Sequence, residues 1–145
     1  MNRLHTIRIV TLRWKGATVD CSKLLSKIGK EAFSVWLKSN SYKFARMDLS
    51  HLDLSYMDLS RVKLVNANLS HANLSHTDLN HANLSKSNFC FVDFSHADLN
   101  HANLRETKLD KADFSYANLS YCDLLSSCRK ATKFAYTNLG YTNLS

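Results

Sequence analysis

From Phe44 to Leu144 the chain places Leu or Phe at every fifth position, and only Arg129 breaks the series. Twenty of the twenty-one slots are apolar, and the frame never slips. Two residues before each centre stands a second restricted position, mostly Ala, Ser, Thr, Val or Cys. Between the two, Asp or Asn fills sixteen of the twenty-one units. A period of five suits neither regular element. On an α-helix, successive centres would turn by about 500° and scatter around the cylinder. On a continuous strand, residues five apart point to opposite faces. A backbone that turns a corner once per unit buries every centre. Four units then make a square coil, residues twenty apart stack at about 4.8 Å, and the series makes about five coils.

Units such as Ala67-Asn68-Leu69, Ala72-Asn73-Leu74, Ala97-Asp98-Leu99, Ala112-Asp113-Phe114 and Ala117-Asn118-Leu119 resemble the A-(D/N)-L-x-x signature of the pentapeptide repeat family. The resemblance covers residues 44–145. It implies an all-β fold, a right-handed quadrilateral β-helix, and a role in protein binding and scaffolding more often than in catalysis. The best-known bacterial members of the family protect DNA gyrase from quinolones by mimicking DNA.

The coil frame sorts the sequence into columns. One interior column reads Leu54, Leu74, Phe94, Phe114, Phe134, which predicts a phenylalanine stack in the C-terminal half. Met47, Leu52, Met57 and Val62 make the small inward position bulky in the first coil. That coil is either a platform for the N-terminal segment, since a bare solenoid end exposes its core, or simply wider. Arg129 falls on an inward slot, where a lone guanidinium is costly. The stretch from Leu125 to Lys130 is therefore expected to bulge out as a loop, with pairing resumed by Phe134.

Outward positions offer the recognition chemistry. One column reads Tyr56, His76, His96, Tyr116, Tyr136, and the next reads Arg61, His81, His101, Tyr121, Tyr141. A third carries His51, His71, Phe91 and Lys111. Like side chains stack well on a flat ladder, and Tyr with His also makes the rigid amphipathic surface enriched at interfaces. The first two columns are the candidate partner surface. A metal site is not expected, because no Cys or carboxylate completes a ligand set around these imidazoles. For a DNA mimic, the columns Asp53, Asp93, Asp113 and Asp58, Asp78, Asp98 are only mildly acidic. Lys43, Lys63, Lys86, Lys108 and Arg46 occupy the other faces, so the dense negative field of a duplex is not reproduced.

The N-terminal 1–43 form a separate basic segment. They carry nine Lys/Arg and two acids, whereas residues 44–145 carry ten of each, so the formal charge of +7 belongs to the head. The β-branched run in residues 6–14 predicts a strand. Residues 22–38 predict a helix, with Ser22 as N-cap and an apolar stripe of Leu24, Leu25, Ile28, Ala32, Val35 and Trp36 that closes the N-terminal end of the rod. Arg3, Arg8, Arg13, Lys15, Lys23, Lys27 and Lys30 are the candidate basic docking segment. It reads as a targeting signal, as a tail for nucleic acid or anionic lipid, or as part of the cap.

Composition narrows the function. There is no proline, and the three glycines cannot write a phosphate-binding loop. The four cysteines have no C-x-x-C spacing, and they point to an intracellular, reducing compartment, cytoplasmic or mitochondrial. Ser, His and Asp recur in nearly every unit on an exposed ladder, without the unique, buried arrangement that nucleophilic catalysis needs. A leucine-filled axis leaves no ligand cavity. The sequence thus predicts a non-enzymatic scaffold without catalytic, cofactor or metal residues and without a small-molecule substrate. Its partners are expected to be proteins of a multi-subunit complex, or a second copy joined through an uncapped C-terminal coil. The alternatives are a DNA-mimicking, gyrase-protecting protein and a bacterial effector.

Overall fold

The computed structural model describes residues 20–40 and 46–145. The strand expected at residues 6–14, and with it Arg3, Arg8, Arg13, Trp14 and Lys15, lies outside the described residues, as does Lys43.

Each five-residue unit is a tight turn followed by a single extended step. In the unit of Leu69, the Ala72 N–H donates to the Leu69 carbonyl at 3.0 Å, and His71 has φ 61°. A hydrogen-bonded four-residue turn with positive φ only at its third residue is type II. The corner repeats at twenty non-glycine residues from Arg46 to Tyr141, all with φ between 55° and 64°. Left-handed backbone costs an L-residue about 1–2 kcal/mol, so every corner needs compensation. The Asp/Asn position supplies part of it. Asn68 Oδ1 accepts from the Ser70 N–H at 3.2 Å, and Asp78 Oδ1 accepts from Asn80 at 2.9 Å. All sixteen Asp or Asn residues at this position accept from the N–H two residues on. This Asx turn holds the chain at the entry to the corner.

Successive turns of the coil pair in parallel at a register of twenty. Bridges run from Asp48↔Asn68 to Asp123↔Asn143. Leu49 donates to the Asn68 carbonyl at 2.7 Å, and Asn68 donates back to Met47 at 2.9 Å. Corners five residues apart leave room for one bridged residue per side, so the sides are isolated bridges rather than long strands.

The axis is filled. Leu54, Leu74, Phe94 and Phe114 are fully buried. The expected ring stack is present, with Phe94–Phe114 centroids 4.6 Å apart and Phe114–Phe134 5.5 Å apart, both nearly parallel. Where the small inward residue is polar it finds a carbonyl. Thr107 Oγ1 donates to Leu104 at 2.6 Å, and Thr132 Oγ1 to Leu109 at 2.8 Å. Hydrogen-bonded in this way, these hydroxyls avoid the penalty of an unmade bond.

Arg129 does not bulge out. Cys128 still bridges Lys108, and the Thr132 N–H still closes its turn on the Arg129 carbonyl. The side chain lies half-buried in the last coil, where no further coil covers the interior among the described residues. Its guanidinium donates to the Leu144 carbonyl at 2.8 Å and to Ser127 Oγ at 3.2 Å. The burial cost that argued for a loop is avoided because the charge reaches the open end.

Helix α1 spans Cys21–Asn40, slightly longer than expected. Its cap is Asp20 rather than Ser22: Asp20 Oδ1 accepts from the Lys23 N–H at 3.1 Å and from Ser22 Oγ at 2.7 Å. Gly29, at φ 77° and ψ 165°, breaks it into two helical stretches. The second buries Phe33, Trp36 and Leu37 in one cluster with Met47, Leu52, Met57 and Val62. The bulky first coil is thus the seat of the helix. Lys30 Nζ donates to the Ser55 carbonyl at 2.9 Å, and Ser34 Oγ donates to the Asp58 carbonyl. In later coils the equivalent carbonyls, Ser75 and Asp78, accept from the preceding coil. Side chains of α1 thus take the place that a preceding coil holds elsewhere.

Ala131 isolates the cost of the corner, since it is exposed, has φ 56° and carries no ring to stack. Ala131→Gly should raise stability by about 1 kcal/mol, and Ala131→Val should lower it. Urea unfolding of the two variants measures both.

Candidate functional site

The corner geometry generates the exposed surface. A left-handed corner throws its side chain outward, and the register of twenty places the next corner residue one coil rise away. His tolerates this backbone better than β-branched residues do. In the first column the ring centroids of Tyr56, His76, His96, Tyr116 and Tyr136 follow one another at 4.6, 4.7, 4.9 and 4.9 Å. In the second, His81, His101, Tyr121 and Tyr141 follow at 4.9, 4.8 and 4.9 Å, with Arg61 at the head of the column. His51, His71 and Phe91 make a third stack, closed by Lys111 Nζ 5.0 Å over the Phe91 ring. The backbone alone sets this spacing, so stacking explains the histidines without a ligand. Exposure of the tyrosines is high, at 74% for Tyr56, 80% for Tyr136 and 84% for Tyr141.

The column headed by Tyr56 is a ridge between two Asp/Asn ladders. On one side run Asp53, Asn73, Asp93, Asp113 and Lys133, and on the other Asp58, Asp78, Asp98, Asn118 and Asn138. The opposite corner carries Arg46, Lys86 and Glu106, flanked by Lys63, Arg105 and Lys108. Two of those charges are matched locally, Lys86 by Glu106 at 3.8 Å and Arg105 by Asp123 at 2.9 Å. The coil is thus acidic and aromatic at one corner and cationic at the opposite one.

Matches to the pentapeptide repeat family model, in eight copies, cover residues 67–105 and 91–125. The coils of residues 67–125 are pentapeptide repeats. A solved pentapeptide repeat protein, Rfr23 of the cyanobacterium Cyanothece 51142, is similar at 35% identity and a TM-score of 0.60, over 62% of this chain and 62% of that one. A pentapeptide repeat protein of the Arabidopsis thaliana thylakoid lumen is similar at 24% identity and a TM-score of 0.41, over 67% of this chain and 64% of that one. QnrB1, a plasmid-mediated fluoroquinolone resistance protein, is similar at 19% identity and a TM-score of 0.31, over 68% of this chain and 60% of that one. The matched region thus spans less than two thirds of each of these structures. No curated protein matches the chain. The coil is accordingly a right-handed β-helix, and proteins built on this repeat are generally structural rather than catalytic.

The pentapeptide repeat surface has little reactive chemistry. Among the described residues no group of three or more His, Cys, Asp or Glu could hold a metal ion, and no helix is long and apolar enough to cross a membrane. Burial pushes the Cys122 thiol up to about 12 and the Cys21 thiol up to about 11, which suppresses their thiolates. A hydrogen bond to Asp110 raises exposed Cys128 as well. A concavity of about 540 Å³ lies between α1 and the first coil and is lined by Lys30, Ser34, Val35, Tyr56 and Met57.

Of the expected basic docking residues, Lys23, Lys27 and Lys30 are described. Lys23 pairs with Asp20 at 3.3 Å in full solvent, and Lys27 is exposed. Lys30 is a staple of α1 to the coil, with Asp53 Oδ2 at 2.8 Å and Ser55 Oγ at 2.9 Å. Lys38 repeats the arrangement on Asp58 at 2.5 Å and Ser60 Oγ at 3.2 Å. No sequence signal separates these lysines from the others, because their partners are fixed only by how α1 lies on the coil.

The staples make the helix contact sensitive to acid. The Lys30 ammonium, then the Ser55 hydroxyl, hold the Asp53 carboxyl down at about 2, and Lys38 and Ser60 do the same for Asp58. A carboxyl depressed on folding stabilises above its unfolded value near 4, and that contribution is lost as pH falls toward 2. These pairs are half-exposed and screened, so each is worth about 0.5–1 kcal/mol. The double variant Asp53→Asn, Asp58→Asn should therefore be less stable than the parent by about 1–2 kcal/mol at pH 7, and the gap should close at pH 2. Denaturant titrations at the two pH values measure it.

Proposed function

We propose that this chain is a non-enzymatic scaffold that holds a protein partner along the two aromatic columns headed by Tyr56 and Arg61, as a subunit of a larger assembly. The observation that carries the reading is the pair of neighbouring, solvent-exposed ring columns that run the length of the described coil. Tyrosine supplies large contact area with few rotatable bonds to freeze, which is why it is enriched at interface centres. A filled axis leaves only the walls for recognition.

In this proposal α1 is the N-terminal cap, and the basic segment ahead of it fixes that end of the rod to an acidic surface, whether nucleic acid, anionic lipid or protein. The last described coil carries backbone N–H groups, such as those of Phe134 and Leu139, in the positions that donate to the next coil elsewhere. Leu144 is 43% exposed there. A second copy or another subunit would cover that edge. Four unpaired cysteines support placement in a reducing cytoplasmic or mitochondrial setting. The DNA-mimicking alternative is less well supported, because the longest acidic run in a column ends at Asp98 and gives way to Asn118 and Asn138.

Purification of the chain from its native source should bring down a specific protein with the parent. That protein should be lost with Tyr116→Ser, Tyr136→Ser and Tyr141→Ser together, at unchanged folding by circular dichroism. Recovery of no specific protein, or recovery unaffected by the three substitutions, would sink the proposal.

A further inference from the structure

We infer that the paired tyrosines near the C-terminal end of the coil are a modification site: one-electron oxidation joins Tyr116 to Tyr136, and Tyr121 to Tyr141, as dityrosines that lock the last coil to its predecessor. The tyrosine geometry alone carries this, independently of the docking role proposed above.

The register makes the pairs. Residues twenty apart stand one coil rise apart, and their corners throw both side chains outward in the same direction. Tyr116 and Tyr136 stack with centroids 4.9 Å apart and 13° between planes, and Tyr121 and Tyr141 with 4.9 Å and 11°. Near-parallel rings in register set the carbon beside one hydroxyl over its counterpart on the next ring. All four rings are exposed, from 50% for Tyr121 to 84% for Tyr141. Among the described residues no hydrogen bond holds their hydroxyls, so the rings can turn toward one another. Each column continues from its pair as histidine, His96 at 4.9 Å and His101 at 4.8 Å. Tyr56 likewise stacks on His76. An imidazole offers no phenol carbon to couple, so each tyrosine pair is a closed unit among the described residues.

The oxidant is a peroxide acting through a haem peroxidase, which removes electrons one at a time. Each phenol gives up one electron and its O–H proton and becomes a phenoxyl radical. The two radicals couple through a C–C bond between the ring carbons beside their oxygens. The hydrogens on those carbons then move to the oxygens, which restores two phenols. Each pair loses two hydrogen atoms in all, and one hydrogen peroxide takes them up to give two waters. Radicals held one coil rise apart meet without the entropy cost of association. The location gives the bond its effect. No further coil covers the last one among the described residues, and its centres Phe134 and Leu139 are only partly buried. A bond between residues twenty apart ties that coil to the one before it and restricts the unfolded chain, as a disulfide does.

The test treats dilute protein with hydrogen peroxide and a haem peroxidase. A Cys128→Ser background is used, because that exposed thiol would intercept the radicals. Tyr121→Phe with Tyr141→Phe keeps the aligned pair of Tyr116 and Tyr136. Tyr116→Phe with Tyr141→Phe leaves Tyr121 and Tyr136, which stand on different corners. Phenylalanine preserves the ring stack, and circular dichroism checks the fold. Tryptic peptides 112–129 and 134–145 carry the four tyrosines. Mass spectrometry of the size-separated monomer therefore reads the cross-link as these two peptides joined, less two hydrogens. The aligned variant should form the link at least tenfold faster than the misaligned one, and its cross-linked monomer should melt at a higher temperature than the untreated protein. Equal rates, links only between molecules, no link in the aligned variant, or an unchanged melting temperature would overturn the inference.

Discussion

The structure depends on a left-handed backbone corner at every fifth residue. Sustaining it at twenty non-glycine positions is unfavourable one residue at a time. It persists because the corners are fixed in several ways at once. In most of them a turn bond closes the corner, an Asp or Asn side chain holds its entry, and the ladder to the next coil satisfies its backbone. The buried Leu or Phe at each centre supplies the driving force, since a fully buried side chain of that size is worth about 1.5–3 kcal/mol. Remove the corner and the centres no longer share one axis.

The same constraint decides where recognition chemistry can sit. The axis is closed to ligands, so only corners and sides remain. Corner residues stack because their backbones stack, which converts a five-residue period into columns of like side chains twenty residues apart. Asp and Asn sit on the sides because their oxygen is needed by the turn, and whether a side becomes acidic depends on which of the two is used. Asp clusters beside the Tyr56 column, while cations cluster at the corner opposite. A polarised rod results, from a body whose formal charges cancel.

The frame was legible in the sequence because period five is incompatible with both regular elements, and because twenty centres obey it. The columns followed from it, down to the phenylalanine stack and the neighbouring Tyr/His columns. Periodicity puts Arg129 in a slot that is buried in the earlier coils, but among the described residues no further coil covers it and its guanidinium reaches the Leu144 carbonyl. Ser22 and Asp20 compete for the same cap, and one-residue spacing does not separate them. The break at Gly29, and the pairing of Lys30 and Lys38 with Asp53 and Asp58, depend on how a helix lies across the coil end, and no local pattern encodes that. The structural role of the Asp/Asn position was likewise hidden: its periodicity was plain, but only geometry shows the bond to the N–H two residues on.

The most direct measurement of the register is cross-linking in a background with the four native cysteines replaced by serine. Ser75 and Ser95 stand twenty residues apart on the same side of adjacent coils. At a spacing of about 4.8 Å, their Cα atoms fall within the 4.4–6.8 Å range of a disulfide. Ser75→Cys with Ser95→Cys should oxidise to an intramolecular disulfide under mild conditions, and Ser75→Cys with Ser115→Cys, two coils apart, should not. The reverse result, or equal oxidation of both pairs, would contradict a coil that turns once in twenty residues.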